Sequence, residues 1–235
     1  MIDRNGLASI GILMLETRFP RIPGDLGNPA TWPFPVAFKV VRGASPQLAV
    51  TGGAEGLLAP FVEAGHALVA EGAQGIVTSC GFLVLFQDAL RAALGVPVAT
   101  SSLMQVSMVE ALLPASRRAG ILTISAASLT PAHLAAAGCR SDTPVAGLDA
   151  GTEFSSAILG NRTTLDVERA RAENVAAAQA LLDDHPEVGA IVLECTNMVP
   201  YAADIREACG VPVYSVESLV SWFHSGLSPR RYPST

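Results

Sequence analysis

Four short apolar runs punctuate the chain: Ile10–Leu15, Gly75–Thr78, residues 120–124 and residues 190–193. They are aliphatic and β-branched, show no polar alternation and are bounded by turn residues, as strands covered on both faces do. Helical patterns separate them. Residues 54–71 carry apolar side chains at helical spacing, and residues 166–183 are rich in Ala, Glu and Arg behind Asp166, which is suited to cap a helix start. Pro97 and Pro212 each follow Gly-Val, where a helix ends and the next strand begins. Strands alternating with helices predict an α/β fold of short parallel sheets flanked by helices.

The pattern occurs twice. An offset of 115 residues, the separation of Cys80 from Cys195, also carries Arg91 onto Arg206 and Gly95-Val96-Pro97-Val98 onto Gly210-Val211-Pro212-Val213. Ile10-Gly11-Ile12-Leu13 likewise resembles Ala119-Gly120-Ile121-Leu122. Two pseudo-symmetric α/β domains are expected, residues 1–100 with 215–235 and residues 101–214, with a cleft between them. Residues 16–38 break the pattern: Pro20, Pro23, Pro29, Pro33 and Pro35 interrupt them and no periodicity is visible. A connection of that length directly after the first strand predicts a wall or lid of a ligand site.

Composition narrows the function. The chain has 235 residues, half of them hydrophobic, and 21 acidic against 15 basic side chains, for a net charge of −6. No basic block is available for a nucleic acid. No apolar run approaches the ~18–20 residues of a membrane span. The start, Met1-Ile2-Asp3-Arg4-Asn5, lacks the basic-then-apolar order of a leader, so a cytoplasmic location is expected. Four cysteines without a Cys-x-x-Cys pair or a histidine at ligand spacing suggest neither a disulfide framework nor a metal site.

The chemistry points to Cys80 and Cys195. Each follows a strand-like run and precedes a helical segment, a position at the sheet's carboxyl edge where free N–H groups are expected to lower a thiol pKa from ~8.5. Two such thiols facing each other would form an acid–base pair, one deprotonated and one protonated. A single free cysteine is more often a packed small apolar residue, but here cysteine recurs at both copies. By contrast Cys209 falls opposite Leu94 and reads as core, and Cys139 has no counterpart. Around the pair, Thr196 and Asn197 are suited to hold a carboxylate, while Gly81 and Phe82 offer N–H groups and an apolar wall. Ser125 follows the second-half strand as Glu16 and Thr17 follow the first. Arg18, Arg21 and Arg162 are the candidate cations. Lys39, the only lysine, has no phosphate-binding surroundings, which argues against pyridoxal phosphate as an electron sink.

Ile76-Val77-Thr78-Ser79-Cys80 and Leu193-Glu194-Cys195-Thr196, in duplicated units, resemble the aspartate/glutamate racemase superfamily, which includes hydantoin racemases, maleate isomerases and arylmalonate decarboxylases. The resemblance covers essentially the whole chain. Gly81-Phe82 departs from the Asn-Thr usual in the amino-acid racemases, and the loop ending Trp32-Pro33-Phe34-Pro35 is closer to the decarboxylase branch. The resemblance implies a homodimeric, cofactor-independent racemase or epimerase acting at the carbon α to a carboxylate of a small substrate. Cys80 and Cys195 would move the proton, with Glu16, Thr17, Gly81, Phe82, Ser125, Thr196 and Asn197 around the substrate and no metal. The decarboxylases keep one of the two cysteines, so a chain with both favours symmetric proton transfer. A maleate-type cis–trans isomerase, a decarboxylase-like enzyme and a non-catalytic ligand-binding protein are the alternatives.

Overall fold

The apolar runs fold into two parallel sheets of four strands each. The computed structural model describes residues 8–233; residues 1–7, on which the leader reading rests, lie outside the described residues, as do 234–235. The first sheet has the order β2-β1-β3-β4, from β1 (Ile10–Leu15), β2 (Val36–Val41), β3 (Gly75–Thr78) and β4 (Val98–Ala99). Helices α1 (Pro46–Val50), α2 (Leu58–Ala70) and α3 (Gln87–Leu94) connect them. The second sheet repeats that order as β6-β5-β7-β8, from β5 (Arg118–Thr123), β6 (Val145–Gly147), β7 (Val188–Leu193) and β8 (Val213–Tyr214). Its helices are α4 (Val106–Leu112), α5 (Pro131–Ala136), α6 (Glu153–Leu159), α7 (Val167–Asp184) and α8 (Ala202–Cys209), and α9 (Val216–Leu227) closes the chain.

Strand register preserves the repeat. Ile76 lies opposite Val98 and Ile191 opposite Val213, while Gly11 pairs with Ile76 and Gly120 with Ile191. The glycine in each first strand lets a helix approach. A Cβ on Gly11 would fall 3.0 Å from Leu68 of α2, and one on Gly120 would fall 3.1 Å from Leu181 of α7. The caps follow the sequence too: Asp166 accepts from the Arg169 N–H at 3.1 Å and starts α7.

Several boundaries differ from the periodicity: β5 and β7 each start two residues early, at Arg118 and Val188. Residues 36–38 belong to β2 rather than to the preceding loop, because pairing with β1 satisfies their backbone where no alternation announces a strand. The helix expected from residue 54 starts at Leu58; Ala54 and Gly56 take positive φ values in the turn that precedes it. The proline-rich segment is held by its own bonds. The buried Trp32 indole donates to the Leu26 carbonyl at 2.9 Å, and Asn28 Nδ2 donates to the Arg21 carbonyl at 2.8 Å.

One apolar core runs through both halves, joining Leu13, Ile76 and Leu83 to Ile121, Leu193 and Met198. A second cluster covers the other face of the first sheet, where Ile10, Ile12 and Val77 meet Trp32 from the loop and Val216 and Val220 from α9. The chain's last helix thus packs on the first sheet. Among the described residues no helix is long and apolar enough to cross a membrane.

Candidate active site

The two cysteines stand two residues beyond the carboxyl ends of β3 and β7, and the turns that follow them cross. Thr196 Oγ1 donates to the Ser79 carbonyl at 2.8 Å. Gly81 lies so close to Glu194 that a Cβ there would fall 2.5 Å from its backbone carbonyl. The repeat equates Gly81 with Thr196 and Ser79 with Glu194, so the contact is reciprocal: the residue after each cysteine touches the residue before the other. Ser102 Oγ ties the crossing to β7 by donating to the Leu193 carbonyl at 2.6 Å. This arrangement places Cys80 and Cys195 on the wall of one small, partly open pocket.

Of the residues expected around a substrate, Gly81, Phe82, Thr196 and Asn197 line that cavity with the thiols. Glu16, Thr17 and Ser125 do not. Glu16 is exposed and accepts from the Gly43 N–H at 2.8 Å, capping the turn after β2. Ser125 donates to Ser128 Oγ at 2.9 Å within its own turn. Thr17 reaches the site indirectly, accepting from Arg21 Nη2 at 2.9 Å. Arg21 is the only cation among the described residues that line the cavity, and with Phe19 it makes the proline-rich segment one of the walls. Arg162 instead pairs with Glu153.

A polar chain leads from this wall to the second thiol. Arg21 Nη1 donates to Asp25 Oδ1 at 2.8 Å, Asn197 Nδ2 donates to Asp25 Oδ2 at 2.5 Å, and Cys195 Sγ donates to Asn197 Oδ1 at 3.6 Å. Asp25 is buried, so each of its oxygens needs a partner. The pairing locks the first-half loop onto the second-half cysteine.

Residues 88–221, more than half of the chain, match the family model described as Asp/Glu/hydantoin racemase. The chain belongs to this family. Among similar proteins, a dimethylsulfoniopropionate lyase of Durusdinium sp. clade D is 29% identical over 94% of this chain and 75% of its own length. Dimethylsulfoniopropionate lyase 5 of Emiliania huxleyi is 29% identical over 95% of this chain, which spans only 46% of that relative. The solved Gly74Cys mutant of arylmalonate decarboxylase is similar at a TM-score of 0.63 and 18% identity, covering 96% of both chains, and shows the shared fold.

In this Asp/Glu/hydantoin racemase-family protein both thiol pKa values are raised, contrary to the lowering expected from a helix N-terminus. Burial, then the Glu194 carboxylate, pushes Cys80 up to about 12 and holds Cys195 well above the ordinary range. The N–H groups of Phe82 and Leu83 oppose this at Cys80 and that of Asn197 at Cys195, and are outweighed. The structural reason is local. Cys80 leads into a tight 3-10 turn, Gly81–Phe86, and α3 starts only at Gln87; Cys195 stands seven residues before α8. Neither thiol receives the aligned dipole of an α-helix start.

Glu194 is the site residue that sequence reasoning misses. It is 1% exposed, Oε2 accepts from Thr123 Oγ1 at 2.7 Å, and Oε1 has no hydrogen-bond partner among the described residues. The available signal was the repeat itself, which sets a carboxylate against the small hydroxyl of Ser79. Burial pushes Glu194 up to about 7. The folded protein therefore holds this proton more tightly than the unfolded chain does. The resulting stability is present below the unfolded carboxylate pKa and is lost as pH rises through about 7. At ~1.4 kcal/mol per unit, the loss amounts to roughly 3 kcal/mol. Glu194→Gln should be free of it: the difference in melting temperature between variant and parent should grow in the variant's favour from pH 4 to pH 8. A difference independent of pH would contradict the assignment.

Proposed function

We propose that this protein removes and returns the proton on the carbon α to a carboxylate of a small substrate, using Cys80 and Cys195 as a two-thiol acid–base pair, and so acts as a racemase or epimerase. The supporting observation is that cysteines equivalent in the two halves line one pocket. One sulfur, as thiolate, takes the α-proton from one face. The electron pair spreads into the carboxylate, which becomes enediolate-like and needs preorganised donors. Arg21 and the N–H groups of Gly81 and Thr196 are the groups at hand. The opposite thiol then delivers its proton to the other face, leaving the substrate inverted and the two sulfurs with exchanged protonation. No electron sink beyond the carboxylate enters this scheme.

A second reading, β-elimination, is favoured by the two lyases that align with nearly the whole chain. It shares the first step. If the β-carbon carries a sulfonium group, the carbanion expels it: the C–S bond breaks, sulfur keeps the pair, and dimethylsulfoniopropionate would give dimethyl sulfide and acrylate. One experiment separates the two readings. The protein in heavy water, given aspartate, a substituted hydantoin or dimethylsulfoniopropionate, is followed by proton NMR and chiral chromatography. Racemisation predicts α-deuterium in both enantiomers without new products, and elimination predicts acrylate. Neither deuterium nor acrylate from any of them would refute the carbon-acid reading.

A further inference from the structure

The outer face of α2 carries little charge for a helix at the surface. Of its 13 residues only Glu63 is charged, whereas a helix facing water sets polar and charged side chains opposite its core stripe. Leu58, Ala59, Glu63, His66 and Ala70 are exposed, and Val62 and Val69 are half-buried. The first turns form an open groove, lined by Gly56, Leu58, Ala59, Val62, Glu63 and His66. It shares no residue with the pocket that holds the thiols.

The repeat supplies an internal control. α7 leads into β7 as α2 leads into β3, and Leu181 of α7 meets Gly120 as Leu68 of α2 meets Gly11. Setting Leu68 on Leu181 places Leu58 on Arg171, Ala59 on Ala172 and His66 on Gln179. The start of α7 is charged, and its Arg169–Glu173 and Arg171–Glu168 pairs lie at the surface. The fold therefore does not itself demand an apolar outer face at this position.

The order of side chains along α2 names the occupant. Ala59, Glu63, His66 and Ala70 succeed one another at intervals of four, three and four residues, so they form one stripe. Reversed, the stripe sets alanine against alanine and glutamate against histidine at every step. A second α2, laid antiparallel about a twofold axis between residues 64 and 65, brings Ala70 to Ala59 and His66 to Glu63, each contact occurring twice. The alanines let the two axes approach to ~8 Å, and both imidazole–carboxylate contacts fall near the centre. Leu58 meets the far end of the second helix at Glu71, whose charge Lys39 already offsets at 2.6 Å.

We propose that α2 is the interface of a homodimer, in which two copies pair through antiparallel α2 helices with Glu63 of each against His66 of the partner subunit. The proposal does not depend on the thiol chemistry. Helices ~20 Å long give an interface at the small end of the specific range, so the dimer exchanges with monomer at a Kd of about micromolar order.

Sedimentation equilibrium of the intact protein, from about 0.1 to about 100 μM, spans that Kd. The parent should pass from monomer to dimer mass across the range. His66→Glu sets carboxylate against carboxylate at both contacts and should weaken the dimer about tenfold or more. The double variant Glu63→Lys, His66→Glu restores opposite charges and should return the Kd to the parent's range. Gln179→Glu makes the corresponding change on α7 and should leave the Kd as it is. All three positions are exposed, so each protein should keep the parent's fold, read by circular dichroism. A parent that stays monomeric throughout overturns the proposal, as does a dimer indifferent to His66→Glu. A double variant as weak as His66→Glu overturns the antiparallel pairing. Equal weakening by Gln179→Glu overturns it too, since added negative charge anywhere would then be the cause.

Discussion

Cys80→Ala and Cys195→Ala are each expected to lower racemising turnover by about 10²–10⁴-fold, the contribution of a positioned acid or base. The two-thiol scheme makes the pattern of loss more informative than its size. Inversion needs a base on one face and an acid on the other, so either variant should fail in both directions. A variant that keeps the sulfur facing the α-hydrogen of one enantiomer should still exchange that hydrogen with solvent and return the same enantiomer. Cys80→Ala and Cys195→Ala should therefore show opposite enantiomer preferences in deuterium uptake, read by NMR on resolved substrates. Both proteins should fold, since each change removes one atom from a packed wall and costs about 1 kcal/mol. Full inversion by Cys80→Ala would falsify the scheme.

Gly81→Ala should have the second-largest effect, on activity and stability together. The added Cβ would fall 2.3 Å from Glu194 Oε1 and 2.5 Å from the Glu194 backbone carbonyl. The carboxyl could rotate away, but the carbonyl is fixed by β7 and by Ser102, which donates to it and to its neighbour. Relief therefore requires the two crossing turns to separate, which displaces Cys80 relative to Cys195. Overpacking of this kind costs about 1–3 kcal/mol, and a misplacement on the order of 1 Å costs about 10²-fold in rate. Gly226→Ala is the control. A Cβ there meets nothing within 4 Å, and the residue lies in α9, so the change should leave the melting temperature level or slightly raised. If Gly81→Ala behaved like Gly226→Ala in melting and in deuterium exchange, the crossing would not be what holds the thiols.

Much of this architecture is legible in the chain. Ile10–Leu15 and Gly75–Thr78 are strands at the bounds that their apolar runs give, and the 115-residue offset reappears as identical register in the two sheets. These features are legible because burial on both faces demands unbroken apolar runs. The edge strand β2 is less so, since Val36–Phe38 are only half-buried and follow a proline-rich stretch that resembles a loop. At the site, Cys80 and Cys195 stand out because duplication kept the same atom twice. Asp25 and Glu194 do not stand out, and Arg21 is only one of three candidate cations, because their importance lies in contacts between segments far apart in the chain. Asp25 meets Asn197 from 172 residues away, a relation that no local pattern encodes. Thiol ionisation is hidden for a similar reason: a strand-to-helix junction suggests a dipole, whereas burial and, after it, the Glu194 carboxylate raise both thiols.

Two identical half-length chains associating about a dyad would carry the same side chain before each cysteine. If that were glutamate, two carboxylates would converge on one buried crossing and repel; if it were serine, there would be no charge at all. Linking the halves covalently removes that constraint, because each copy can then mutate alone. The single Glu194 opposite Ser79 is an arrangement available only to the fused form, and it makes the two faces of the cavity chemically unequal despite their shared ancestry.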